Sequence, residues 1–496
     1  MTDGRRSGRA DLLVAGGEVL GADGALSRAD VLVENGVITA VAPGREAGGV
    51  EVLDARGMIV VPGMINAHMH SGENFNPGLY ENLPLDLWFV HSHQVTRAQP
   101  PSRDEIYART LLGATLMLRS GTTAAVDFLY EAPEITLETL EPVVQAYRDA
   151  GLRATILLGV ADKPYAESLP LDDQPSAAAS EAPPMALHSI MQLAGDAVER
   201  WHEPGGLIGI GLGPSAPQRC TPELLDATLA FAREHHLAWQ THVLETKSQA
   251  VTSREWHGRS FVEVMNDRGQ LGPRTTLVHT VWLSDRDIEL MARAGCTAVH
   301  CLLSNLRLGD GVARLPALMR GGVRVALGTD GRGCDETLDM FELAKMTALV
   351  HKVRGGDYRE WPTARDAYRM ATAGGSVCTG HGERLGWIEE GAHADFVLIP
   401  RSSPAFAPMH DPVRQLVYGA PSRDIDTVVV GGRVVVRGGR VLGIDETWLL
   451  DQVREHSGAA LAGERSGDAD RLERAVAAMY TRLEDGALEM DAYLRP

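Results

Sequence analysis

The chain of 496 residues is short of positive charge: 47 Lys plus Arg stand against 66 Asp plus Glu, a formal net charge of −19. So acidic a chain lacks the electrostatic footprint that phosphate backbones require, and nucleic acid is not an expected partner. Long apolar runs are missing too. No segment reaches the ~18 uninterrupted apolar residues of a membrane span, and the opening MTDGRRSGRADLL has no apolar core of a signal peptide behind its arginines. No membrane association and a cytoplasmic location are the expectations. Cysteine is scarce: Cys220, Cys296, Cys301, Cys334 and Cys378 are odd in number, scattered and without a CxxC. That argues against a disulfide framework or a thiolate zinc site. No G-x-G-x-x-G follows a strand-like run, which weakens a dinucleotide-binding reading.

What is present is a globular composition, with 44% hydrophobic and 23% charged residues. From Asp11 to Val61, short apolar runs (DLLVAGGEVL, DVLVENGVITAVA, GMIVVPG) broken by Gly and Asn read as hairpin strands. The same texture returns after residue 383 in ADFVLIP, LVYGA and DTVVVGGRVVVRGGRVLGI, so both chain ends are expected to build one small β-domain. Between them, TAAVDF, ATILLGV, LIGIGLG, AWQTHV, TTLVHTV, TAVHCL and RVALGTD alternate with helix-like stretches such as TPELLDATLAFAREHH. Alternation of this kind implies βαβ units and a parallel sheet. With the strand leading into MINAHMH there are eight candidates, the number a closed (β/α)8 barrel needs, although an open doubly wound sheet shares the periodicity.

The expected division is 1–63 and 383–446 for the β-domain, 64–382 for the barrel, and 447–496 for amphipathic helices packed outside it, with no chemistry read there. Residues 161–187, rich in Pro, Ala, Ser and acid, are too long for an ordinary loop; a lid over the barrel mouth and solvated slack are both open readings.

Four strand ends carry chemistry. In MINAHMH, His68 and His70 lie two apart, so on a strand both imidazoles share a face. WQTHVLET ends a strand in His242 with Glu245 three residues on, TTLVHTVW ends in His279, and RVALGTDG ends in Asp330. Singly each can be bland, since a strand-end histidine often only bonds a carbonyl and an Asp before Gly often only turns. His91 and His93 form a second pair, but after a helical-looking LPLDLWF, which fits surface or pocket lining better than ligation. Four barrel strands ending in His or Asp at one rim are what a catalytic site on this fold requires. Three imidazoles and a carboxylate suit one divalent ion, Zn²⁺ first and Fe²⁺ or Mn²⁺ nearly as well, able to activate water at neutral pH. Glu245 is placed to move a proton, and His279 to orient water or a developing oxyanion.

These residues in this order resemble the amidohydrolase superfamily, and within it the mononuclear deaminase and chlorohydrolase branch, from about Asp11 to Glu446. Supporting segments are GPSAPQRCTPELL, VHCLLSNLRLGDG, LGTDGRGCDETLDMFELAKMTALVHK and ERLGWIEEGAHADFVLI. The resemblance implies a β-sandwich beside a TIM barrel, ligand roles for His68, His70, His242 and Asp330, and proton-transfer roles for Glu245 and His279, with Asp330 also at the chemistry. Two-metal members bridge their ions with a carboxylated lysine; LIGIGLGPS has none, so a single ion is implied. In the branch that deaminates S-adenosylhomocysteine and methylthioadenosine, a histidine and a glutamate grip the ribose; here those positions read as Ser215 and Arg97.

Trp88, Gln218 and Asn305 are candidate substrate contacts, with Glu73, Asn74 and His91 as further pocket candidates. The leading expectation is release of ammonia or a substituted amine from an amidine-like carbon of a small heterocycle. Glu245 favours it, because chloride leaves without a proton and relatives that dechlorinate can lack that acid. Hydrolysis of a cyclic amide or halide on the same site is the alternative, and a barrel that binds without catalysis is a third reading. The family's habit of forming homo-oligomers gives the remaining expectation.

Overall fold

The computed structural model describes residues 12–45, 49–92, 100–131, 134–171, 184–353, 356–457 and 467–485. The chain opens with β1 (Leu12–Leu20), β2 (Leu26–Glu34), β3 (Val37–Ala42), β4 (Glu51–Asp54) and β5 (Met58–Pro62). Asn35 and Gly36 both take positive φ in the β2–β3 turn, the backbone that a two-residue hairpin demands. Eight strands follow: β6 (Met64–Met69), β7 (Thr122–Leu129), β8 (Arg153–Val160), β9 (Ile208–Pro214), β10 (Trp239–Val243), β11 (Thr275–His279), β12 (Thr297–His300) and β13 (Arg324–Leu327). The chain returns to the first sheet with β14 (Phe396–Pro400), β15 (Thr427–Val430), β16 (Arg433–Arg437) and β17 (Arg440–Val441).

β6 to β13 form one parallel sheet in sequence order, with helices between successive strands: the expected TIM barrel. β7, β8 and β9 are buried along their whole length, as strands covered on both faces must be. The last strand meets the first through the Asp330 N–H, which donates to the His68 carbonyl at 3.0 Å. The Asn66 carboxamide clamps Thr329 from both sides of the same seam, at 2.7 and 3.0 Å. The other nine strands make the small domain from both chain ends, in the order β17-β16-β15-β14-β5-β1-β2-β3 with β4 beside β1. It has its own apolar cluster, including Leu12, Val31, Val33, Ile38, Phe396 and Val429.

LVYGA is not a strand. It ends a helix, Pro412–Gly419, because Asp411 caps the first turn, Pro412 occupies the first helical position, and Val413, Leu416 and Val417 recur at helical spacing on the buried face. The two units are joined by a buried ion pair: Arg153 on β8 donates to both Asp395 oxygens at 2.8 and 3.0 Å. The helix Gly467–Asp485 does not stand apart from the barrel mouth. Leu472, Val476, Met479 and Leu483 pack with Val90, Tyr165, Leu169 and Val251, residues from segments that border the strand C-termini. Of the proposed lid, residues 172–183 lie outside the described residues; the part before them turns through Ala166–Ser168 and contributes buried residues to the same cluster.

Candidate active site

His68, His70, His242 and Asp330 come together at the C-terminal ends of β6, β10 and β13, all less than a tenth exposed. Pleating puts Asn66, His68 and His70 on one face of β6, and Gln240 and His242 on one face of β10. Each imidazole is held by its Nδ1. That of His68 lies 2.6 Å from the Gln240 Oε1, that of His70 2.6 Å from the Phe128 carbonyl, and that of His242 2.7 Å from the Ser215 carbonyl. An Nδ1–H donated to oxygen leaves Nε2 with its lone pair, the form a metal ligand needs. His68 Nε2 is buried and without a hydrogen-bond partner, and lies 3.5 Å from Asp330 Oδ1; His70 Nε2 is 3.1 Å from the same oxygen. Ligand atoms of His68, His70 and His242 lie within 4.8 Å of one another, as do those of His68, His279 and Asp330. This donor set fits one divalent ion of the borderline, nitrogen-and-oxygen kind.

The electrostatics agree. Burial pushes His68 and His242 below the ordinary imidazole range, which favours the neutral ring at both. Burial would lower His70 as well, but the Asp330 carboxylate overrides it and raises that ring to about 9. A proton there and a cation between the two groups answer the same buried negative charge. Asp330, despite burial, is held well below the carboxylate range by His68 and His70. Its other oxygen accepts from Ser304 Oγ at 2.6 Å. His279 and Asp330 both sit at positive φ, +67° and +68°, so the backbone bends at the residue that delivers each side chain. Non-glycine residues hold such geometry only where surrounding contacts impose it.

Glu245 is buried, with Oε1 3.3 Å from His279 Nε2. Burial, reinforced by Asp310 and Asp330, raises its carboxyl well above the usual range, while burial lowers His279 to about 4. Trp88, Gln218 and Glu73 line the same cavity as these groups. Glu73 is pushed up to about 8, chiefly by burial and further by Asp330, against the opposing His70 charge. The absence of a Cβ at Gly331 makes room for the Glu73 carboxylate, which would otherwise have to shift. Asn305 is placed differently from expectation: it does not line the cavity but meets His279 Nδ1 with its Oδ1 at 3.0 Å. Asn74 turns to the Arg109 carbonyl, and His91 faces Glu473 at 3.6 Å, away from the imidazole cluster. His93 and Arg97 lie outside the described residues. Ser215 lines the cavity, and its Oγ accepts from Tyr130 OH at 2.9 Å.

Gln240, Ser304 and Tyr130 were not anticipated. Gln240 had a signal, since it precedes His242 by two on a strand; the other two act through contacts between separate segments.

Comparison with known proteins settles the class. The amidohydrolase family model matches residues 59–435. The chain belongs to the amidohydrolase family. A 5'-deoxyadenosine deaminase of Methanothermobacter thermautotrophicus is 32% identical over 453 residues, 91% of this chain and 99% of that one. A 5-methylthioadenosine/S-adenosylhomocysteine deaminase of Syntrophobacter fumaroxidans is 33% identical over 456 residues, covering 90% and 98%. Among solved structures, an adenosine deaminase from Xanthomonas campestris with bound zinc superposes with a TM-score of 0.79 at 26% identity, over 91% of this chain and 99% of that one. An atrazine chlorohydrolase from Arthrobacter aurescens, at 24% identity and a TM-score of 0.81 over 90% of this chain and all of that one, shares the fold. This amidohydrolase is a metal-dependent enzyme that cleaves carbon–nitrogen bonds hydrolytically.

Proposed function

We propose that His68, His70, His242 and Asp330 hold a single zinc ion, and that Glu245 and His279 carry the protons of a hydrolytic deamination on an aminated heterocycle. The observation that carries this reading is the orientation of the three imidazoles, each anchored through Nδ1 and presenting Nε2 toward the Asp330 carboxylate or the cluster around it. When bound, the ion supplies Lewis acidity and makes a nucleophile available at neutral pH. Glu245 takes the proton of the attacking water as a carboxylate, which burial and the neighbouring acids make more basic than usual, and then, as the carboxylic acid, delivers that proton to the departing nitrogen. His279 stays neutral and shares that proton across the 3.3 Å between its Nε2 and Glu245 Oε1, its ring fixed by Asn305. An amine leaves poorly as an anion, so this relay supports carbon–nitrogen cleavage over halide release.

Trp88 and Gln218 supply the walls against which a flat ring lies. The deaminases named above are named for adenosine derivatives and the chlorohydrolase for a triazine, which supports an amidine-like carbon of a purine-like ring or s-triazine as the reacting centre. Ser215, already engaged by Tyr130, stands where the resemblance expects a ribose-gripping histidine, and this supports a compact, non-ribosylated substrate. Among the described residues no helix is long and apolar enough to cross a membrane. A water-soluble substrate fits a cytoplasmic enzyme, and a homo-oligomer is our reading of its assembly.

The test is ammonia release by zinc-loaded protein from free aminated bases and triazines beside adenosine and methylthioadenosine. We expect turnover of free bases and loss of zinc and turnover together in His242→Ala. Zinc retained by His242→Ala, or kcat/KM near ~10⁴ M⁻¹s⁻¹ on either nucleoside, would remove the ligand set or the substrate class respectively.

A further inference from the structure

The outer wall of the cavity carries a cation that the reaction does not use. Gln218 and Arg219 follow the end of β9, at the rim where barrel sites are assembled, and both line the pocket with Phe89, Tyr165 and Leu169. Among the described residues, Arg219 is the single Arg or Lys in that lining. Its guanidinium lies beside a stacked pair of rings, 5.4 Å from the Phe89 centroid and 5.2 Å from that of Tyr165, the two centroids being 4.1 Å apart. Aromatic faces satisfy its charge in part, but they accept none of its N–H groups in the plane. Nε and Nη1 are buried without a hydrogen-bond partner, and among the described residues no carboxylate lies within 4.0 Å of the guanidinium. The neighbouring Gln218 is 5% exposed, and its Oε1 is buried and unpartnered as well.

Two adjacent polar side chains left unsatisfied at one wall of an active-site cavity are not explained by packing. The nearby acid Asp86 does not serve Arg219: its oxygens already accept from Tyr165, Ser248 and Tyr480, at 2.8, 2.8 and 3.0 Å. The planar fork of a guanidinium matches a carboxylate geometrically, and packing against the stacked pair leaves it less freedom to lose when one binds. In a chain with a net charge of −19, an anionic substrate needs such a local cation to enter.

Resting on the deaminase reading above, we propose that Arg219, seconded by Gln218, receives a carboxylate on the substrate, at the end of the heterocycle away from the departing amine. The polarity of the site then runs from the imidazoles and Asp330 at the strand ends to Arg219 at the outer rim. Phe89, on the helix Leu85–Ser92, and Tyr165, beyond β8, are the stacked pair beside which the guanidinium lines the cavity.

The experiment compares two probes of nearly equal shape, adenine-9-acetate and adenine-9-acetamide, whose amine and side group lie at opposite ends of the purine. Ammonia release is measured with the zinc-loaded enzyme, and binding by calorimetry with zinc-loaded Glu245→Gln, so that recognition is read without turnover. We expect the carboxylate to be preferred by about tenfold or more, a preference weakened by added salt and abolished in Arg219→Met, with Arg219→Lys intermediate. Equal binding of the two probes in the parent, absence of measurable binding of the acetate, or a preference that survives Arg219→Met overturns the proposal. Binding preference without ammonia release from either probe would instead count against the deaminase reading and leave Arg219 supported.

Discussion

Gln240 lies under the proposed metal ligands rather than among them, which makes Gln240→Leu a sharp test of how the imidazoles are aimed. Its carboxamide does two things: Oε1 takes the His68 Nδ1–H at 2.6 Å, and Nε2 donates to the Ala67 carbonyl at 3.0 Å. Both bonds sit in a part of the barrel where Gln240 is 1% and His68 0% exposed, so water cannot replace the lost acceptor. Leucine keeps the volume and removes both polar atoms. Leaving a buried N–H unsatisfied costs about 1–3 kcal/mol, and loss of the group that orients a ligating imidazole typically weakens metal binding about 10–100-fold. The two figures agree, since that range corresponds to roughly 1.4–2.7 kcal/mol. We therefore expect zinc affinity, measured by competition with a chromophoric chelator at neutral pH, to fall by about one to two orders of magnitude, while zinc-free protein retains its far-UV circular dichroism. Gln240→Glu, which keeps an acceptor opposite Nδ1, should lose much less. Affinity unchanged in a folded Gln240→Leu would show that His68 is not oriented through Nδ1.

Glu245→Gln should keep its zinc and fold but lose turnover by a factor of ~10² or more; near-normal ammonia release would take Glu245 out of the proton path. Tyr480→Phe removes one of three hydroxyl donors to the buried Asp86 carboxylate, at a cost of about 1 kcal/mol. Hydrogen exchange should then speed up in residues 85–92 while β7 and β8 stay protected; uniform exchange, faster everywhere or nowhere, would refute a local role for the C-terminal helix. Asp395→Asn leaves the Arg153 guanidinium buried without its counter-charge, which costs about 3–5 kcal/mol in chemical denaturation. Against burial, Arg153 holds the Asp395 carboxyl low, so its contribution is present above the ordinary carboxylate range and lost as pH falls through the depressed folded value. Parent and variant should therefore converge in acid, and a gap that persists there would point to packing instead.

The barrel was legible because each of its strands is a short apolar run bounded by helix-like segments, and the runs ending in His68, His242, His279 and Asp330 are periodic enough to set side-chain direction. LVYGA shows where that signal fails. Five apolar or small residues read equally well as strand or helix end, and the decision lay upstream, in the Asp411 cap and Pro412. Asn305 shows a different limit. The sequence offers it as a candidate substrate contact, but only the fold reveals that it faces the far nitrogen of His279 and not the cavity. The helix Gly467–Asp485 announced its amphipathic stripe without announcing a partner. Its apolar face meets the helix Leu85–Ser92 and the turn after β8, segments almost four hundred and three hundred residues away, and no local pattern encodes such a meeting.

The placement of the four candidate metal ligands follows from closing the barrel. His68 stands on the first strand and Asp330 at the end of the last, and their backbones share the 3.0 Å hydrogen bond that joins the two. Asn66 and Thr329 repeat the connection one layer below. A sheet that closes on itself must bring its first and last strands together, so residues at those two ends become neighbours however far apart in sequence. The positive φ at Asp330 turns its carboxylate back across that seam, toward His68 and His70. The same seam thus fixes both fold and ligand geometry, and a cation placed there would be bound by strands whose pairing it also reinforces. The buried carboxylate and the orphaned His68 nitrogen are tolerable in the closed barrel because a positive charge, proton or metal, answers them from the same few ångströms of space.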